Sequence, residues 1–145
     1  MKSTGSIQDR TDVVDVTIAY CWALDTHDWA GLEDVFLPGA TAELSSPLLE
    51  GVEAIKTRVA TALTHLDDSQ HLVANHQVVI DGDTATSRCY LQAQHVRRGV
   101  EGGDNLLIGG RYEDQLVRTP AGWRIKHRRL VIMWREGNPA VMSTG

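Results

Sequence analysis

The stretch His71-Leu-Val-Ala-Asn-His-Gln-Val-Val-Ile80, followed by Asp81-Gly82-Asp83 and then by Thr84 to about Arg97, decides the fold. Apolar and β-branched residues on both sides of a Gly-centred turn predict a long hairpin. Working outward toward the C-terminus, Gly99 to Asp104 forms a connection and Asn105 to Arg118 reads as the next strand. Thr119-Pro-Ala-Gly122 is a turn, and Trp123 to Trp134 reads as the last strand. The Gly109-Gly110 pair falls in mid-strand, where it marks a bend in the sheet rather than a phosphate loop.

Toward the N-terminus the apolar period changes from two to that of a helix. It holds from about Ile7 to Thr26 and again, after an Asp28 cap, through Trp29, Leu32, Val35 and Phe36 to a stop at Pro38-Gly39. A short strand near Thr41 to Ser45 precedes a third helix, introduced by Pro47 and Gly51, with Ile55, Val59, Ala62, Leu63 and Leu66 on one face. Helices first and antiparallel strands afterwards indicate an α+β domain, three helices packed on one face of a curved mixed or antiparallel sheet. The chain has 145 residues, the size of a single domain, with a core from about 9 to 134. The tail, 135–145, is expected to run over the surface or onto a neighbouring subunit.

Composition narrows the function classes. Hydrophobic residues make up 42% and charged residues 23%, an ordinary globular balance. The net charge of −5, with basic residues clustered only at Lys126 to Arg129, argues against a nucleic-acid partner. No apolar run has the length of a membrane span, and the polar start lacks a signal-peptide core, so a cytoplasmic protein without a membrane partner is expected. Cys21 and Cys89 are read as reduced, buried thiols. The six histidines show no metal-ligand spacing, so neither a metal nor another cofactor is expected.

Asp25 is the leading chemical feature. It shares the helical stripe of Val14, Ile18 and Cys21, at steps of 4, 3 and 4 residues, so a core-facing stripe ends in a carboxylate. A buried carboxylate needs hydrogen bonds or a cation. His71, at the head of the hairpin, is the candidate partner: a carboxylate on one imidazole nitrogen fixes the tautomer and leaves the other nitrogen to take a proton. The competing reading makes Asp25 a cap and His71 an ordinary core or rim histidine.

Other residues follow from parity. Trp123 and Ile125 place odd positions of the last strand inward, which puts Arg128 on an exposed basic edge, yet residues 130–134 are apolar throughout; a bulge near 127–129 would instead turn Arg128 toward the core. Tyr20, about 140° around an ideal helix from Asp25, is expected at a cavity mouth rather than on the deep stripe. Trp22, Tyr90, Tyr112 and Trp134 suit the wall of an apolar pocket. Asp114 shares the parity of Tyr112 and Leu116 and is a second acid/base candidate, and His95 has the parity of Cys89 and Leu91.

The order of elements, with YCWALDTHDWAGLEDVF (20–36), SQHLVANHQVVIDGDTA (69–85), LLIGGRYEDQLVR (106–118) and GWRIKHRRL (122–130), resembles the SnoaL-like branch of the nuclear transport factor 2-like superfamily. The resemblance spans roughly Asp9 to Trp134. It implies a cone-shaped α+β barrel around a deep apolar pocket. The chain is most similar to the scytalone dehydratase, hexachlorocyclohexane dehydrochlorinase and bile acid 7α-dehydratase group, whose helix-one aspartate and post-helix-three histidine fall on Asp25 and His71.

The dehydrochlorinase's last-strand arginine matches Arg128, but its helix-one lysine is replaced by Tyr20. A tyrosine at that place is similar to the bile acid dehydratase and favours loss of water. The resemblance therefore implies a cofactor-independent lyase of dehydratase type. Its substrate would be an apolar cyclic or polycyclic molecule, and the protein a homo-oligomer, trimer or dimer. An isomerase or polyketide cyclase, a dehydrohalogenase, a noncatalytic small-molecule binder and an oxygenase small subunit are the alternatives.

Overall fold

The computed structural model describes residues 3–143; the first two residues and the last two, the end of the predicted tail, lie outside the described residues. Helix α1 runs Ile7–Asp25. Its start is fixed by a capping box: Ser6 Oγ accepts from the Asp9 N–H at 3.0 Å, and the Asp9 carboxylate accepts from the Ser6 N–H. Strand β1 spans Phe36–Glu43, β2 Leu49–Glu50 and α2 Val52–Leu63. Four long strands follow, β3 Asp68–Asp81, β4 Thr84–Val96, β5 Asn105–Thr119 and β6 Gly122–Gly137.

The six strands form one mixed sheet in the order β2-β1-β6-β5-β4-β3. Only β1 and β6 pair in parallel; the other neighbours are antiparallel. The β3–β4 hairpin turns at Gly82, whose φ of 62° suits a residue without a side chain. Helix α1 lies over β3, and α2 lies over β1. Their buried faces and the inner face of the sheet share one core that includes Val13, Leu24, Ile55, Leu91 and Ile125.

The α+β class holds, with two α-helices among the described residues rather than three. The segment expected as the second helix is a single 3-10 helix, Ala30–Asp34, with Asp28 Oδ1 accepting from the Gly31 N–H at 3.0 Å. Val35 ends that turn and Phe36 enters the sheet, both buried. Pro38 and Gly39 lie inside β1, where its register against β6 shifts between Phe36 and Thr41. Proline cannot donate to the ladder, so it sits at the irregularity.

The C-terminal segment runs back over the domain. After Gly137, Asn138 Nδ2 donates to the Glu101 and Gly103 carbonyls at 2.9 Å each, and its Oδ1 accepts from the Ala140 N–H. A 3-10 helix, Pro139–Met142, turns back onto the domain and buries Val141 completely. His65 Nε2 lies 3.2 Å from the Val141 carbonyl, and Arg97 donates to the Ser143 carbonyl at 2.6 Å.

Candidate active site

The core stripe of α1 is Val13, Thr17, Tyr20 and Leu24, one position removed from the predicted one. Ile18 is 38% exposed, and Asp25 sits at the rim of the core. Thr17 is the reason: it is fully buried, and its hydroxyl meets both the Val14 carbonyl at 2.7 Å and His76 Nε2 at 2.8 Å. A bulge in β3 between Ala74 and Gln77, with Asn75 at φ 60°, carries His76 to that contact. Tyr20 accordingly takes the deep position, 2% exposed.

Asp25 and His71 meet across α1 and β3. Asp25 Oδ1 is 2.7 Å from His71 Nδ1 and accepts from Ser69 Oγ at 2.9 Å, while Oδ2 accepts from the His71 backbone N–H at 2.8 Å. Burial raises the Asp25 carboxyl, but the bonds from the His71 ring, its backbone and Ser69 outweigh that and hold it below its ordinary value. With Asp25 ionised, the Nδ1 of a neutral His71 carries the proton, and Nε2 is left as a lone pair without a protein partner among the described residues.

His71 forms part of the wall of a cavity of about 140 Å3 that opens to solvent past Ser45 and Arg58, together with His95, Tyr20, Tyr112, Leu91 and Ala93. The cavity is far smaller than the deep pocket expected. The His71 and His95 rings meet edge to face at 5.8 Å. His95 is 4% exposed, and its Nδ1 donates to the Leu106 carbonyl at 3.1 Å, so its Nε2 is also a lone pair. Burial lowers the His95 imidazole and keeps it neutral. His95 was absent from the sequence-based site; its inward parity with Cys89 and Leu91 was the signal available.

Behind the cavity, Arg128 and Asp114 form a pair with no side-chain exposure at all. Arg128 Nε and Nη2 donate to the two Asp114 oxygens at 2.8 Å each. The guanidinium lies between the rings of Tyr20 and Tyr112, 4.3 and 3.8 Å from their centroids. Burial works against its charge, yet Asp114 and the rings hold it protonated well above its usual range. Burial likewise pushes the Tyr20 phenol up to about 12 and raises the Tyr112 phenol well above its ordinary value.

Arg128 turns inward because β6 carries a bulge at Lys126, between the pairs Leu116↔Ile125 and Gln115↔His127. The pair is engaged with itself and stands behind the tyrosines rather than in the cavity wall. Arg128 Nη1 and Ser87 Oγ, on either side of Asp114 in one row across the sheet, are buried without a protein partner among the described residues.

Three predicted pocket aromatics lie elsewhere. Trp22 is 68% exposed in an outer groove of about 580 Å3, which reaches the dyad from the solvent side and also includes Cys21 and Leu72. Tyr90 and Trp134 lie on the outer sheet face, 53% and 40% exposed. Trp134 covers Gly109, and a second β6 bulge at Met133, opposite Gly109-Gly110, sets its position. Apolar residues on that outer face mimicked a two-sided strand. Cys21 and Cys89 are buried free thiols. Among the described residues no group of three potential metal ligands occurs, and no helix is long and apolar enough to cross a membrane.

The geometry can be set beside known proteins. An uncharacterized protein of Mycobacterium tuberculosis is 33% identical over 132 residues, covering 88% of each chain. The terrestric acid biosynthesis cluster protein E of Penicillium crustosum is 30% identical over 146 residues, covering 97% of this chain and 93% of that one. A candidate aromatic ring hydroxylase from Novosphingobium aromaticivorans matches with a TM-score of 0.85 and 27% identity, over 97% of this chain and all of that one.

A candidate scytalone dehydratase from the same organism matches with a TM-score of 0.81 and 19% identity, over 91% and 89% of the two chains. A nuclear transport factor 2-like superfamily protein from Salmonella enterica gives 0.75 and 17%, over 91% and 96%. The model of the SnoaL-like domain matches residues 5–129. That match identifies the chain as a member of the SnoaL-like family, and its mixed six-stranded sheet with two covering helices has the fold of the nuclear transport factor 2-like protein.

Proposed function

We propose that this protein is a cofactor-independent lyase of dehydratase type in which His71, keyed by Asp25, removes a carbon-bound proton. The observation that carries the reading is the Asp25–His71 contact at 2.7 Å, combined with the place of His71 in the walls of both the outer groove and the smaller cavity. As Nε2 takes the proton, the ring becomes cationic, and the carboxylate already on Nδ1 stabilises that charge. The electron pair left on carbon forms the new double bond, and the carbon–oxygen bond at the neighbouring position breaks.

The departing hydroxyl must gain a proton to leave as water. Tyr20 and Tyr112, kept neutral by burial, are the donors in the cavity wall, and the His71 proton restores them through solvent. Arg128 and Asp114 serve by fixing the two rings rather than by touching the substrate. His95, neutral and edge-on to His71, supplies a second lone pair. Similarity to a candidate dehydratase and to a biosynthesis-cluster protein supports small-molecule chemistry. A screen of β-hydroxy ketones tests the proposal: His71→Ala should lose about 100- to 10,000-fold in turnover. Full turnover in that variant would refute it.

An isomerase or cyclase would use the same groups, and solvent-deuterium exchange at carbon without loss of water would identify one. Self-association through the outer sheet face is part of the proposal. Leu72, Tyr90, Met133 and Trp134 expose a large apolar surface there, and light scattering should show a homo-oligomer.

A further inference from the structure

We infer that the substrate of this site is an apolar molecule that ends in a carboxylate, with the carboxylate held by Arg58 at the cavity mouth and the carbon skeleton reaching inward on the His71 side. This rests on the proton-transfer reading of His71 and names the class of molecule brought to it. The observation behind it is a difference in charge between the two openings that share His71. The outer groove is lined by the carboxylates of Asp25 and Asp68, with no lysine or arginine. The cavity is lined by Arg58, with no carboxylate. Among the described residues of the cavity wall, Arg58 alone has a fixed charge, and most of the others are aliphatic, Leu44, Val59, Leu63, Leu91 and Ile132 among them.

The contacts of the guanidinium place it at the rim. Arg58 Nη2 donates to the Leu44 and Ser45 carbonyls, both at the long distance of 3.4 Å, and Ser45 is an exposed residue of the same wall. Arg118, Arg124, Arg128 and Arg129 each face an aspartate or glutamate. Arg58 is half-buried and faces none among the described residues, and its Nε and Nη1 have no protein partner there. On the groove side Asp68 is offset by the exposed Arg98 at 3.2 Å, so the sign of that opening rests on Asp25.

A guanidinium offers paired N–H donors that match the two oxygens of a carboxylate. Beside an apolar wall such a pair is screened less than in open water. Holding the remote end of the substrate also orients its reacting carbon, which is how binding energy away from the chemistry assists it. The mouth is open, so the inference concerns the charge of the ligand and sets no limit on its size.

The test is an NMR titration of the intact protein with 4-phenylbutanoate, 4-phenylbutanamide and 4-phenylbutylamine, which share one apolar body and differ in charge. The reporters are the His71 ring, the Arg58 Nε–H and the Trp22 indole. The carboxylate should bind about fivefold or more tightly than the amide, and the amine most weakly. It should shift Arg58 and His71, leave Trp22 unmoved, and lose its advantage as sodium chloride is added. Arg58→Gln should erase the preference while keeping the amide's affinity, and Arg58→Lys should retain part of it.

Equal affinity for the carboxylate and the amide in the wild type would overturn the inference, as would a preference that survives Arg58→Gln. Loss of all three compounds in Arg58→Gln would overturn it too, since Arg58 would then only hold the Leu44–Ser45 segment. Shifts centred on Trp22, or no His71 shift up to the solubility of all three compounds, would have the same effect. If Arg58→Gln does not fold, the wild-type order and its salt dependence decide. The protonated nitrogen of His71 in the ligand-free protein reports separately on the Asp25–His71 reading.

Discussion

Replacing Arg128 with Met should be among the most damaging single changes in this protein, and the reason lies with the residue left behind. Asp114 has no side-chain exposure, and both of its oxygens are satisfied by Arg128 at 2.8 Å. Removing one partner of a buried pair costs about 3–5 kcal/mol, because the other charge stays in the interior. Two ring–cation contacts of about 0.5–2 kcal/mol each are lost too, at Tyr20 and Tyr112. The Met thioether, packed on the same rings, recovers about 0.3–1.5 kcal/mol.

The net is about 3–9 kcal/mol, a large share of the 5–15 kcal/mol typical of a domain. The double variant Arg128→Met with Asp114→Leu removes both charges and should come within about 2 kcal/mol of wild type, since well-packed apolar replacements of buried pairs are often neutral. Equilibrium urea unfolding at one fixed protein concentration measures both, the fixed concentration being needed for a chain that can self-associate. A single variant that loses less than about 1 kcal/mol would refute the reasoning. So would a double variant whose loss equals the sum of the two single losses.

The Asp25 carboxyl, held below its ordinary value, contributes stability that is present above the unfolded carboxyl range near about 4 and is lost as pH falls through its folded value. The stability difference between wild type and Asp25→Ala should therefore shrink as pH falls below 4; a difference that still grows between pH 4 and pH 2 would contradict the sign. The two mid-strand glycines should respond unequally to alanine. A Cβ on Gly110 would lie 2.3 Å from the Val131 carbonyl oxygen, whereas one on Gly109 would meet the partly exposed Trp134 ring, which can swing aside. Gly110→Ala should lower the urea midpoint more, and Gly109→Ala should redshift tryptophan emission; the reverse order of stability would refute this.

The hairpin was legible because its turn chemistry, Asp81-Gly82-Asp83, fixes a register that the flanking apolar residues then keep. The Asp25–His71 pair was legible only as a candidate, since its two halves lie 46 residues apart and periodicity cannot say that they meet. What sequence could not show arises from single-residue offsets. Thr17 reads as a surface residue until His76 reaches it across a bulge, and that contact turns the α1 stripe by one position.

Bulges at Lys126 and Met133 each reverse the facing of β6, so simple alternation fails beyond Ile125. Val35 and Phe36 fit a helical face and a strand equally well, and Pro38-Gly39 proved to be a strand irregularity rather than a helix stop. The outward placement of Trp22, Tyr90 and Trp134 escaped notice because an apolar residue on an outer face carries the same local signal as one in a pocket.

The central claim is that Asp25 keys His71 with its proton on Nδ1 and its lone pair on Nε2. Long-range 15N–1H spectra of the histidine rings, recorded at a pH where His71 is neutral, read this directly. The account predicts the Nδ1–H tautomer for His71 in the wild type and its loss in Asp25→Ala. A wild-type His71 in the Nε2–H tautomer, or a tautomer unchanged by removing Asp25, would contradict it.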